Sequence, residues 1–190
     1  MESRSFGVVM RRLGHNRVAL FDRERGRVDA VHYAADFRLC TRGALISYTL
    51  DIIRTRNRLQ NVTLEETATH WVYNDFNFFC TVLELCFYSI GYGSSSYDIF
   101  DLVLQLYDTP IIKFSKDAKR LFLTRLFVLI GTHPDDPPCE AALFHRLISQ
   151  TPKIMLGEEI PLSWCGAFDR WLQRCIQMHP RSEMFKVGFL

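Results

Sequence analysis

Lysine is scarce in this 190-residue chain: there are five, and the first is Lys113. Charge of one sign is lacking too, since 23 basic residues face 21 acidic ones and the formal net charge is only +2. The chain as a whole is therefore not strongly basic. No apolar run approaches the roughly 18 residues that span a bilayer. The start, Met-Glu-Ser-Arg-Ser-Phe-Gly, has no apolar stretch of the signal-peptide kind. Both absences lead to the expectation of a cytoplasmic protein without a membrane partner. The six cysteines (40, 80, 86, 139, 165 and 175) form no C-x-x-C pair and lie scattered through apolar segments. Buried thiols of a reducing compartment are expected. Missing as well are a phosphate-binding G-x-x-x-x-G-K-S/T loop, G-x-G-x-x-G, H-E-x-x-H and G-x-S-x-G. The six histidines are dispersed, and Cys139, His145 and Cys165 make a zinc set that is one ligand short and poorly spaced. A Cys–His nucleophile pair has no motif in its favour. The expectation is a binding protein without cofactor or metal rather than an enzyme.

What the chain does have is a hydrophobic fraction of 48% with fifteen phenylalanines, ample for a packed core. Its charge is unevenly placed. Residues 1–66 carry twelve basic residues, all arginine, against eight acidic ones, whereas the remainder is slightly acidic. The texture also changes near residue 67. Before it, short alternating segments read as strands: Phe6–Arg12, Arg17–Phe21, Arg27–Tyr33, Ala44–Arg54 and Leu59–Glu65. In the fourth, Ile46, Tyr48, Leu50 and Ile52 share one face; in the fifth, Val62 and Leu64 are expected inside. Five short strands in about 65 residues suit a small closed barrel. The oligonucleotide-binding (OB) type is the economical choice, although an SH3-like barrel has the same strand count. After residue 67 the period is helical: Trp71–Ile90, Asp98–Tyr107, Lys116–Ile130 capped by Ser115 and ended by Gly131, Glu140–Gln150, and Ser163–Met178. Pro152–Pro161 reads as a linker and Met184–Leu190 as a short apolar tail. The expectation is an α+β protein, with an OB-type barrel over 1–67 and an all-helical domain over 68–190.

Two sets of side chains could bind something. Arg11, Arg12, Arg17, Arg23, Arg25, Arg27, Arg38 and Arg42 crowd the barrel segment, with Phe21, Tyr33 and Phe37 near them in sequence. Guanidinium forks suit phosphate, and rings stack bases, so this is the expected nucleic-acid-binding set. A solvated arginine face over a core Phe21 accounts for the same residues equally well. The second set is Arg125 on an otherwise apolar helix stripe, with Lys116, Lys119 and Arg120 as a positive rim. It is the candidate for a partner peptide ending in a carboxylate, against the plainer reading that Arg125 snorkels to water.

The stretches G-V-V-M-R-R (7–12), R-V-A-L-F-D-R-E-R-G-R-V-D-A-V (17–31), A-L-I-S-Y-T-L-D-I-I (44–53) and L-F-V-L-I-G-T-H-P-D-D-P-P-C (126–139) resemble the bacterial recombination mediator RecO family. The ending F-K-V-G-F-L (185–190) is similar to that family's basic-aromatic tail. The resemblance implies an OB barrel followed by helices, binding to single- and double-stranded DNA, and strand annealing. It further implies loading of recombinase without nucleotide hydrolysis, in a nucleoid-associated cytoplasmic setting. Implied partners are a RecR-like protein and the C-terminal tail of single-stranded DNA-binding protein. The chain departs from the family in two ways. Of a four-cysteine zinc site only Cys139 stands in place, and the loop after the third strand (A-A-D-F-R-L-C-T-R-G) keeps just Arg38 and Arg42. Phosphate neutralisation supplies most non-specific affinity. An adaptor on an OB scaffold with reduced DNA binding is therefore the alternative.

Overall fold

The computed structural model describes residues 4–108, 115–149 and 160–184. The chain forms two compact units, Met1–Tyr107 and Asp108–Leu190. Five strands open the first: β1 (Ser5–Arg12), β2 (Arg17–Asp22), β3 (Gly26–Val31), β4 (Ala44–Ile53) and β5 (Arg56–Thr67). They close a barrel in the order β1-β2-β3-β5-β4, antiparallel throughout except for the β3–β5 pair, which is parallel. That order is OB-type, which settles the choice left open by strand count. Alternation fills the interior with Val9, Val18, Leu20, Val28, Ala30, Ile46, Tyr48 and Leu59. Val62 packs at the margin of this core, but Leu64 is 39% exposed and stands outside it, contrary to expectation. Three register shifts bend the long strands around the barrel. One lies in β1 between Val9 and Arg11; two break the β4–β5 ladder, the second opposite Asn61, whose positive φ fits a bulge.

The second face of β1 and β2 is also buried. Val8, Met10, Ala19 and Phe21 are each at most 1% exposed. Helix α2 (Phe76–Ser89) lies along β1 and reaches β2, while Phe100 of α3 (Tyr97–Asp108) meets Phe21 edge-on at 5.1 Å. The unit boundary accordingly falls after Tyr107 rather than at residue 67. The run expected as one helix from Trp71 breaks at Asp75, separating a short α1 (Thr69–Asn74) from α2. Asp75 caps α2 by accepting from the Phe78 amide at 3.0 Å.

The β2–β3 turn is held from within. Asp22 is fully buried and accepts the amides of Glu24 and Arg25 at 2.9 and 2.7 Å, together with the Tyr48 hydroxyl. Burial, reinforced by this carboxylate, raises the Tyr48 hydroxyl far above its ordinary range. Gly26, at φ +66°, lies against the 91–96 loop so closely that a Cβ would sit 2.0 Å from the Ser94 carbonyl oxygen.

In the second unit, α4 (Lys116–Ile130), α5 (Ala141–Ser149) and α6 (Leu162–Met178) pack around Leu121, Leu147, Ile160 and Phe168. The expected caps are present: Ser115 Oγ accepts from the Ala118 amide, and Gly131 takes the left-handed conformation at φ +76°. Arg120 is buried between helices. Its Nε and one Nη donate to Asp169 of α6 at 2.6 and 2.7 Å, and the other Nη donates to Asp117 at 2.7 Å. These bonds push the guanidinium pKa up, and the hydrogen bonds from Arg120 hold the Asp169 carboxyl below the usual carboxylate range. The expected segments 152–159 and 185–190 lie outside the described residues. No described helix is long and apolar enough to cross a membrane.

Asp169→Asn is expected to destabilise the second unit by about 2 kcal/mol, less than a fully buried pair would lose because Asp169 keeps 30% exposure. A carboxyl with a depressed folded pKa contributes stability fully above its unfolded pKa of about 4 and loses it as pH falls through the folded value. Urea unfolding across pH 2–7 should therefore show the gap between wild type and variant closing in acid.

Candidate nucleic-acid interface

The barrel's outer surface over β2, β3 and β5 has a covered end and an open end. At the covered end, Phe21 lies under Phe100. Arg27 lies with its guanidinium carbon 3.8 Å from the Phe87 ring centroid and 4.6 Å from that of Tyr92. It also donates to Asp29 at 3.1 and 3.3 Å and to the Phe87 carbonyl at 3.1 Å. Tyr92 donates its hydroxyl to the same Asp29 carboxylate at 2.9 Å. Arg27 and Tyr92 are thereby spent on the fold.

The open end is built by pairing register. Arg17 of β2 stands opposite Val31 of β3, and Val31 opposite Arg58 of β5, so the two arginines flank one valine across two strand spacings, about 10 Å. Their alternation partners Val18, Ala30 and Leu59 are core residues, so this row faces outward. Two neighbouring clefts share Val31. One, of about 350 Å³, is lined by Arg17, Asp29, Thr55, Arg56 and Asn57; the other, of about 550 Å³, by His15, Asn16, His32, Tyr33, Phe37 and Arg58. The β1–β2 loop thus borders the site on one side and the β4–β5 turn on the other, the two loops that frame ligand sites on OB barrels. Tyr33 is 44% and Phe37 42% exposed. Arg58 stacks over Tyr33 at 4.0 Å and Arg12 over Phe37 at 3.8 Å, so each ring is presented with a cation against it. Among the described residues, the guanidinium groups of Arg17 and Arg56 make no hydrogen bond or ion pair.

The expected arginine set divides sharply. Arg17 is in the row. Arg38 is exposed on the short 3-10 turn Ala34–Arg38. Arg12 fastens that turn, donating to the Phe37 and Cys40 carbonyls at 2.7 and 3.3 Å. Arg11 donates to the Tyr88 hydroxyl at 3.0 Å. Arg23 pairs with Asp101 at 3.4 Å, Arg25 with buried Asp22 at 3.5 Å, Arg27 with Asp29, and Arg42 with Glu84 at 3.1 Å. Phe21, grouped at first with the stackable rings, is core. Arg56 and Arg58 lie outside the expected set because apolar alternation places the start of the fifth strand at Leu59; the alternation Arg54, Arg56, Arg58 is the signal that marks them. In the second unit, Lys116 is exposed, Lys119 and Arg125 are half-buried, and Arg120 is the interior clamp described above.

Among the described residues, no group of three or more His, Cys, Asp or Glu is placed to hold a metal ion. The cysteines are thiols without disulfides, and burial pushes Cys40 up to about 11 and both Cys86 and Cys175 up to about 12. That direction opposes nucleophile activation. The chain matches no family model, and no curated protein sequence matches it.

Native protein treated with N-ethylmaleimide at pH 8 should retain Cys40, Cys86 and Cys175 unmodified while urea-unfolded protein alkylates at all three, at least about a hundredfold faster. Peptide mass mapping reads the difference; prompt native labelling of Cys86 would contradict the packing described.

Proposed function

We propose that this protein binds single-stranded nucleic acid on the open outer face of its barrel, and that it serves as a DNA recombination and repair mediator of the RecO kind. One observation carries the reading: the row Arg17–Val31–Arg58, with Tyr33 and Phe37 beside it, bordered by the β1–β2 loop and the β4–β5 turn of a β1-β2-β3-β5-β4 barrel. Cations spaced across the sheet hold phosphates, while half-exposed rings give successive bases a surface to stack on, worth about 1–3 kcal/mol each. Such binding reads no sequence, as strand annealing and recombinase loading require. The resemblance in sequence supplies the biological setting, and with it a RecR-like partner and the tail of single-stranded DNA-binding protein. For that tail, Lys116, Lys119 and Arg125 are the cations of α4 outside the Arg120 clamp.

A second reading, an adaptor with reduced DNA binding, draws support from the pairing of Arg23, Arg25, Arg27 and Arg42 with carboxylates. The two differ in salt dependence. With three phosphates neutralised by Arg17, Arg56 and Arg58, the slope of log K against log salt should be about −2. Fluorescence anisotropy with a labelled oligonucleotide should give that slope for wild type. The triple Arg→Ala variant at 17, 56 and 58 should lose binding and slope together, while Arg23→Ala keeps both. Annealing of complementary labelled strands should slow in the same variant. Absence of salt-sensitive binding in wild type favours the adaptor.

A further inference from the structure

The β4–β5 hairpin overhangs the barrel. Among the described residues, pairing of β4 with β1 ends at Tyr48, and Thr49–Ile53 pair with β5 alone. The inward stripe Ile46, Tyr48, Leu50 continues to Ile52, but there the barrel has ended and Ile52 is 70% exposed. Ile53, on the opposite face of the same tip, is 40% exposed. Two large β-branched apolar side chains at a hairpin end are a liability for edge pairing. The turn is unusual as well. It has two residues, Arg54 and Thr55, both with positive φ (49° and 70°), the geometry that ordinarily selects Asn-Gly. Positive φ at a β-branched residue is strained backbone. Apolar exposure and strain together occupy the one hairpin tip that carries exposed Arg54 and Arg56 and borders the Arg17 cleft.

We propose that this tip is a wedge: Ile52 and Ile53, exposed on its two faces, insert between neighbouring bases of the bound strand where it passes the hairpin end, while Arg54 and Arg56, the latter paired across the ladder with Ile53, hold the flanking phosphates. The inference rests on the nucleic-acid reading above and adds to it that the protein unstacks the strand it holds. The arginines decide the occupant. A second copy bringing the same hairpin would set guanidinium against guanidinium, whereas a polyanion with apolar base faces meets both features of the tip. Aliphatic wedges flanked by cations are a recurrent means of prising bases apart. The strained turn suits the task, because it is held by the β4–β5 ladder and keeps Ile52 exposed at the hairpin end.

The test uses the full chain and a single strand carrying 2-aminopurine between adenines, where stacking quenches its fluorescence. Wild type should brighten the probe on binding. Ile52→Ala with Ile53→Ala should bind with at most about tenfold weaker affinity, since only apolar contact is removed, and with the same salt slope, yet leave the probe dark. Ile52→Leu should restore the brightening. Equal brightening by wild type and the Ala variant overturns the wedge and leaves the nucleic-acid reading standing. No binding by wild type overturns that reading and the wedge with it. A wild-type dimer in sedimentation that the Ala variant turns to monomer assigns the tip to self-association and overturns the proposal. The substitutions are at exposed positions, and far-UV circular dichroism verifies that both variants fold.

Discussion

The parallel pairing of β3 with β5 is the constraint on which the candidate site depends. It is short, running through Ala30 opposite Asn57 and Val31 opposite Arg58. A parallel pair needs a crossover, and here the crossover is the 3-10 turn and the whole of β4. Closing the barrel at that seam brings Arg58 next to a row begun by Arg17, although the two are 41 positions apart in sequence. Without it the sheet would be open in the order β3-β2-β1-β4-β5, and Tyr33, Phe37 and the β5 arginines would belong to opposite edges.

The arginines of the first unit have two kinds of work. Those near the β2–β3 turn and at the start of β4 meet carboxylates or carbonyls and hold loops in place. Arg27 shows the extreme, held between two rings and bidentate on Asp29. Those at the far end of the same surface are left to water. A guanidinium can act as a planar structural plate or as an anion receptor, and the deciding factor here is whether an acidic residue or a carbonyl lies within reach. Composition alone counts both kinds as positive charge.

That distinction explains what could be read in advance. Strand count, the hairpin of β2 and β3, the Ser115 and Gly131 caps and the buried stripe of α4 follow from period and capping chemistry, which are local. The OB order follows from which strands meet, which is not. Arg17 was legible because it begins a strand. The pairing of Arg23 and Arg42 with Asp101 and Glu84 was hidden because those partners come from distant segments, whereas Arg25 and Arg27 meet the neighbouring Asp22 and Asp29, which composition counts only as charge. Arg56 and Arg58 were hidden by a polar strand start, since β5 draws its pairing from β4 rather than from its own apolar alternation. The Asp75 break went unseen because Trp71–Ile90 keeps apolar residues at helical spacing on both sides of the cap.

The burial of β1 and β2 on both faces bears on how the protein is made. As the chain leaves the ribosome, its first 67 residues contain every barrel strand, but the outward side of Val8, Met10, Ala19 and Phe21 has no cover until α2 and α3 follow. At about 5–20 residues per second, that interval lasts roughly 2–8 s. For those seconds the nascent barrel presents an oily saddle to water. The first unit is therefore a translation-timed assembly, completed by helices that lie downstream of its last strand.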